Sequence, residues 1–251
     1  MTPQLILTIL IFTYGITIGS FLNVCIYRIP LEENIVKTRS HCMNCGYQLK
    51  WYDLIPVLSY CMLRGRCRKC KTKLSPQYPI VELTNGLFYV LIFTINGFHL
   101  QSVLYCLLAS ALLTLSIIDL RTYEIPFGIN VFIFVLGIIQ VGIDPSHWFD
   151  YIIGFISVSG FLYLLFKVSK ERAIGGGDVK LMAAAGLLLG WKLIIPAFFA
   201  GCILGSVIHP IRMKVSKADH VLAMGPYLAA GIIIAVLWGE SFISWYLSFY
   251  H

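Results

Sequence analysis

Charge is what this chain has least of. Only 12% of its 251 residues are Asp, Glu, Lys or Arg, about half the share of an ordinary soluble domain. That scarcity excludes a conventional water-facing surface. Acid is rarer than base, with 12 Asp and Glu against 19 Lys and Arg. The net charge of +7 lies in loops between apolar runs, which is the pattern of membrane topology. We therefore expect no nucleic-acid partner. Met1 to Gln4 holds no basic residue, and the first apolar run ends in Tyr27-Arg28 without a small-residue cleavage site. An uncleaved first span is therefore expected in preference to a cleaved signal peptide. No repeat of 20 to 50 residues and no low-complexity tract is visible, which argues against a solenoid.

What is present is apolar: 58% of residues are hydrophobic and the mean hydropathy is +0.81. The pattern predicts an all-α integral membrane protein of about eight transmembrane helices. The expected spans are Leu5–Ile26, Ile80–Asn96, Val103–Ile118, Ile125–Ile143, Phe149–Phe166, Val179–Gly190, Leu193–Ile211 and Val221–Trp238. The sixth is short, and its start is expected to be irregular. Gly15, Gly19, Ser20 and Asn23 suit the first span to close helix packing, with Asn23 as an interhelical hydrogen-bonding group. Residues 28–79 form the one long polar segment, with ten Lys or Arg and three Asp or Glu. This bias places it in the cytoplasm and both termini outside. Lys167, Lys170, Arg172, Arg212, Lys214 and Lys217 fall on the same side, and Lys192 on the other. Three regions follow: the first helix (1–27), a cytoplasmic loop domain (28–79) and a membrane-embedded remainder (80–251).

On that topology Asp119, ending the third span, and Asp178, opening the sixth, reach the same cytoplasmic surface. Two readings compete. Each can be a helix-end residue, since negative charge is favourable at a helix N-terminus and Arg121 stands near Asp119. Alternatively the two carboxyls form a hydrolytic pair, one taking a proton from water and the other polarising a scissile carbonyl. Acids at membrane depth are functional candidates, and Gly175-Gly176-Gly177 ahead of Asp178 gives backbone freedom for a close substrate strand. A phosphate loop would need a Lys where Asp178 stands. Glu82, opening the second span, is either structural or a contact for a substrate cation.

Eight cysteines are present. Cys25, Cys106 and Cys202 sit in apolar runs and read as small buried hydrophobes. Cys42-x-x-Cys45 and Cys67-x-x-Cys70 offer four thiolates to a structural Zn²⁺, in a cytoplasm that disfavours disulfides. Redox chemistry and chance pairing are the alternatives. Arg64, Arg66, Arg68, Lys69, Lys71 and Lys73 surround the second pair; positive-inside bias and lipid headgroup contact explain them better than a ligand site does. No histidine has a nucleophile or metal partner by spacing.

The ordered motifs resemble the type IV prepilin peptidases, membrane enzymes that pair leader cleavage with N-methylation. They run from Gly19-Ser20-Phe21-Leu22-Asn23 and Tyr27-Arg28-Ile29-Pro30, through Ile55-Pro56-Val57-Leu58-Ser59-Tyr60 and Ser75-Pro76-Gln77-Tyr78-Pro79, to Ile118-Asp119-Leu120 and Ile125-Pro126. Gly175-Gly176-Gly177-Asp178-Val179-Lys180 and Met224-Gly225-Pro226-Tyr227 follow. The resemblance covers nearly the whole chain. It implies a bacterial inner-membrane, multi-pass aspartic peptidase of the Gly-x-Gly-Asp type, with Asp119 and Asp178 as the pair facing the cytoplasm. It implies pilin-like or pseudopilin precursors as partners, with their apolar segment in the lipid bilayer. It also implies methylation of the new N-terminus from S-adenosylmethionine and Cys42, Cys45, Cys67 and Cys70 as metal ligands of the methyl-transfer loop. No glycine-rich methyltransferase motif of the soluble kind accompanies this, so a peptidase without methylation is the near alternative. A transporter with a broken sixth helix is the distant one.

Overall fold

The computed structural model describes residues 3–170, 174–216 and 222–249, so Arg172, Lys217 and Val221 lie outside the described residues. Nine α-helices occur among those described: α1 (Pro3–Arg28), α2 (Leu58–Met62), α3 (Gln77–Asn96), α4 (Leu100–Thr122), α5 (Phe127–Ile143), α6 (Trp148–Val168), α7 (Gly176–Leu189), α8 (Trp191–Ser216) and α9 (Gly225–Leu247). No strand is formed among them beyond two isolated bridges, His41 with Gln48 and Arg66 with Lys73. Each of the eight expected spans corresponds to a helix. Those at α1, α3, α4, α6, α8 and α9 are long and apolar enough to cross a bilayer, making this a multi-pass membrane protein. Helix α5 has 17 residues and α7 only 14.

One boundary differs from expectation. Helix α7 is regular from Gly176, because Gly175 turns extended (φ −72°, ψ 136°) as its N-cap and Gly176 and Gly177 fit a first turn. Its start is therefore not irregular. Helix α9 runs past Trp238 to Leu247.

The chain forms two compact units, Met1–Phe98 and His99–His251. In the first, α1 packs along α3. Contact is close because side chains are missing where the helices meet: a Cβ on Gly19 would stand 2.7 Å from Glu82 Cα, and one on Gly15 would stand 2.8 Å from Gly86 Cα. Hydrogen bonds then fix the register. Asn85 Nδ2 donates to Gly15 O at 2.8 Å and Asn23 Nδ2 to Tyr78 O at 3.1 Å, the latter filling the role expected of Asn23. Arg28, buried at the end of α1, turns its guanidinium to the carbonyls of Asn34, Ile35 and Thr38 and so folds the first stretch of the polar segment around itself.

In the second unit α7 is the central helix, packed against α5, α6, α8 and α9. Its run of Ala184, Ala185, Gly186, Leu187 and Leu188 is buried. Gly186 and Gly154 let α7 and α6 touch backbone to backbone, since a Cβ on either would overlap the other's carbonyl. Helices α8 and α9 meet in the same way at Gly201 and Gly231. With little hydrophobic gain between helices in lipid, such small-residue contact supplies the packing energy.

Candidate active site and metal centre

Asp119 stands in the last turn of α4 and Asp178 in the first turn of α7, both buried. The fold brings both to the short connection between α4 and α5. Their meeting point is Ile125, in the short connection between α4 and α5. A Cβ on Gly177 would stand 3.0 Å from Ile125 Cβ, and a Cβ on Gly225 would stand 3.3 Å from Ile125 Cδ1. Gly177 precedes Asp178, and Gly225 opens α9 beside Asp119. Two glycines thus close on one isoleucine and bring their neighbouring carboxyls to the same place.

The two acids are held differently. Asp119 Oδ2 accepts the Gly225 backbone N–H at 2.9 Å. Asp178 turns back on the backbone of Gly175, the cap of its own helix, and its Oδ1 is buried without a hydrogen-bond partner. Asn130 of α5 completes the surroundings: its Nδ2 reaches Gly177 O at 3.5 Å and its Oδ1 is likewise buried and unpartnered. Neither Asn130 nor the Gly225 amide was found from the sequence. The Met224-Gly225-Pro226-Tyr227 motif was the available signal for the latter.

The four cysteines of the polar segment also converge. Their Sγ atoms all lie within 4.8 Å of one another, with Cys42 and Cys70 at 3.8 Å. Bonds of about 2.3 Å to a tetrahedral zinc require sulfur separations of about 3.8 Å, so the donor set fits that ion. Each C-x-x-C pair sits on the same turn. Cys42 N–H donates to Tyr47 O and Gly46 N–H to Cys42 O; Cys67 N–H donates to Thr72 O and Lys71 N–H to Cys67 O. Gly46 (φ 67°) and Lys71 (φ 60°) occupy equivalent left-handed positions. The ten residues from Ser40 and the ten from Gly65 are therefore two copies of one knuckle, shorter than the repeat length sought in the sequence. Hydrogen bonding favours one thiolate over another: the Thr72 hydroxyl, the Thr72 backbone and the Asn44 amide hold Cys70 down at about 5.

Around the centre, Arg68 Nε reaches Asp53 Oδ1 at 2.7 Å and its guanidinium lies over the Tyr52 ring. At least this member of the basic cluster is used inside the loop. Glu82 is structural here: its Oε2 accepts the Val57 N–H at 2.7 Å. Cys25 and Cys106 are buried as expected, while Cys202 is half-buried and Cys61 exposed.

Residues 13–95 match the bacterial peptidase A24 N-terminal domain, and residues 106–209 match the type IV leader peptidase family. A Bacillus subtilis prepilin leader peptidase/N-methyltransferase is 30% identical over 95% of this chain and 97% of its own length. The chain belongs to the type IV leader peptidase family. A Myxococcus xanthus protein of the same name is 35% identical over 80% of this family member, which spans 61% of that relative. One from Pseudomonas aeruginosa is 29% identical over 94% of this chain and 91% of its own. No solved structure matches this leader peptidase family member. The two family matches fall largely within the two compact units, the cysteine centre in the first and the aspartate pair in the second.

Proposed function

We propose that this chain removes the leader from type IV pilin-like or pseudopilin precursors and N-methylates the new N-terminus. Asp119 and Asp178 are the catalytic pair. The observation that carries the reading is that Gly177, next to the buried Asp178, and Gly225, which holds the buried Asp119, both close on Ile125 in a membrane protein of this family.

In the reaction one carboxylate takes a proton from water as the water oxygen adds to the scissile carbonyl carbon. The other carboxyl gives its proton to the carbonyl oxygen. When the tetrahedral intermediate collapses, the C–N bond breaks. The leaving amine takes the first proton, and the second returns to the carboxyl it came from. No metal takes part in this scheme, and the acids need only hold water and substrate in line.

Cys42, Cys45, Cys67 and Cys70 would hold Zn²⁺, which would staple the 28–79 segment as the domain associated with methyl transfer. S-adenosylmethionine is the proposed methyl donor; no residues are assigned to it and no step is derived through it. The enzyme sits in the bacterial inner membrane with both termini outside and its acids toward the cytoplasm, on the charge distribution of the loops. A precursor's apolar segment then shares the bilayer while its leader stays cytoplasmic.

The test uses membranes containing the full chain, a pilin-like precursor and a labelled methyl donor. Asp119→Asn and Asp178→Asn should each abolish cleavage while the protein still inserts and still methylates a precursor already cut. Normal cleavage by both variants would remove the aspartic mechanism, and an unlabelled product from the unaltered enzyme would remove the methyl-transfer half.

A further inference from the structure

We infer that Gly225 is a positioning residue of the peptidase: its backbone N–H holds Asp119 Oδ2 so that Oδ1 meets the attacking water. The inference rests on the peptidase reading and deepens it.

The first turn of a helix carries N–H groups without intrahelical acceptors. In α9 these can be accounted for one by one. Met224, at the N-cap, gives no side-chain hydrogen bond. Pro226 has no N–H to give. The N–H groups of Tyr227 and Leu228 both go to Met224 O at 3.1 Å. Of the N–H groups from Gly225 to Leu228, that of Gly225 leaves the helix, and it goes to Asp119 Oδ2, 106 residues away in sequence. The carboxylate at the end of α4 therefore caps α9, where the helix dipole favours negative charge.

The glycine is required by space. A Cβ at 225 would stand 2.7 Å from Asp119 Oδ2 and 3.2 Å from its Cγ, so any side chain forces the carboxylate aside. Proline next to it keeps a second N–H from competing. With Oδ2 fixed in this way, Oδ1 is the oxygen left to take the proton from water. Asp178 then faces the scissile carbonyl, which assigns the two roles left open above.

The experiment measures cleavage of a pilin-like precursor by purified full-length enzyme in detergent, across pH, together with methylation of an already cut precursor and thermal unfolding. Gly225→Ala should lower kcat by roughly ten- to a hundredfold, the scale of a misplaced catalytic group. KM should stay within about twofold, methyl transfer should be unchanged, the thermal midpoint should drop by no more than the few degrees of a lost helix cap, and the acid limb of the kcat profile should move. Pro226→Ala leaves the space at 225 intact but adds a donor, and should lower kcat several-fold in the same pattern. Gly142→Ala, where a Cβ meets nothing within 4 Å, should cleave normally. The inference is overturned if Gly225→Ala and Pro226→Ala cleave with unaltered kcat and pH profile, or if cleavage and methylation fall together by the same factor. An unaltered enzyme that leaves the precursor uncut would sink the peptidase reading itself, an outcome distinct from a cutting enzyme with indifferent variants.

Discussion

Val57 donates its backbone N–H to the buried Glu82 carboxylate across 2.7 Å, and it does so at φ 61°, ψ −51°. With Leu58 N–H bonded to Pro56 O, this is a γ-turn of the positive-φ kind, rare for any side chain and more so for a β-branched one. The acid at the start of α3 thus pins a strained turn of the polar segment. Glu82→Ala should orphan that N–H at a cost of about 1–3 kcal/mol and open residues 55–64 to trypsin at Arg64. Glu82→Gln keeps an acceptor and should cost less. Equal digestion rates for both variants and the unaltered protein would show that the turn holds itself.

The duplicated knuckles make opposite predictions at equivalent sites. Gly46→Ala meets no neighbour, so its cost is purely that of a left-handed backbone, about 1–2 kcal/mol. Lys71→Gly should relieve the same strain, with a gain below about 1 kcal/mol after glycine's extra chain entropy. The time taken to lose zinc to a chelator should shorten in the first variant and lengthen in the second.

Metal removal gives a third outcome. Cys70→Ser and Cys42→Ser should each purify with much less than one zinc per chain by elemental analysis. Methyl transfer should fall more than cleavage, because the aspartate pair lies in the other compact unit. A protein purified at full activity without metal would overturn the staple.

Backbone contact between α6 and α7 predicts a steric limit. Gly186→Ala places a methyl on the Gly154 carbonyl. Alanine's helix preference of about 1 kcal/mol is set against an overpacking cost of about 1–3 kcal/mol, so the thermal midpoint should drop. Cleavage should fall with it, since α7 carries Asp178. Gly142→Ala keeps the preference without the clash and should leave the midpoint level or raise it.

Asp144 supplies the pH dependence. The Ser146 hydroxyl, then His147 and Tyr151, hold its carboxyl down at about 2, against an ordinary value near 4. A carboxyl lowered by folding adds stability at pH values above its unfolded pKa and loses it as pH falls through the folded one. The difference in thermal midpoint between the unaltered protein and Asp144→Asn should therefore be constant above about pH 4 and close as pH falls toward about 2. A gap that persists at pH 2 would contradict this anchor.

The sequence made the helices legible because lipid imposes a length and a composition on each span. It made Cys42, Cys45, Cys67 and Cys70 legible because ligand spacing is local. What stayed hidden is nonlocal. Nothing in periodicity links Asp119 to Gly225, or shows that Ile125 lies against both Gly177 and Gly225. The start of α7 was misjudged for a related reason: three glycines read as loop in isolation, yet burial of α7 among four helices overrides their poor helix preference. Glu82 remained ambiguous because its partner is a backbone N–H, which every residue but proline carries.

The two shortest of the eight long helices, α5 and α7, both begin beside the aspartates. At about 1.5 Å per residue they measure roughly 25 and 21 Å, against about 30 Å of hydrocarbon. Helix α7 is enclosed by four others, so its shortfall is faced by protein rather than by lipid, and the polar end of both helices is the one at Ile125 and Asp178. On the proposed function, that polar end is where water would meet the peptide bond beside a precursor's apolar segment.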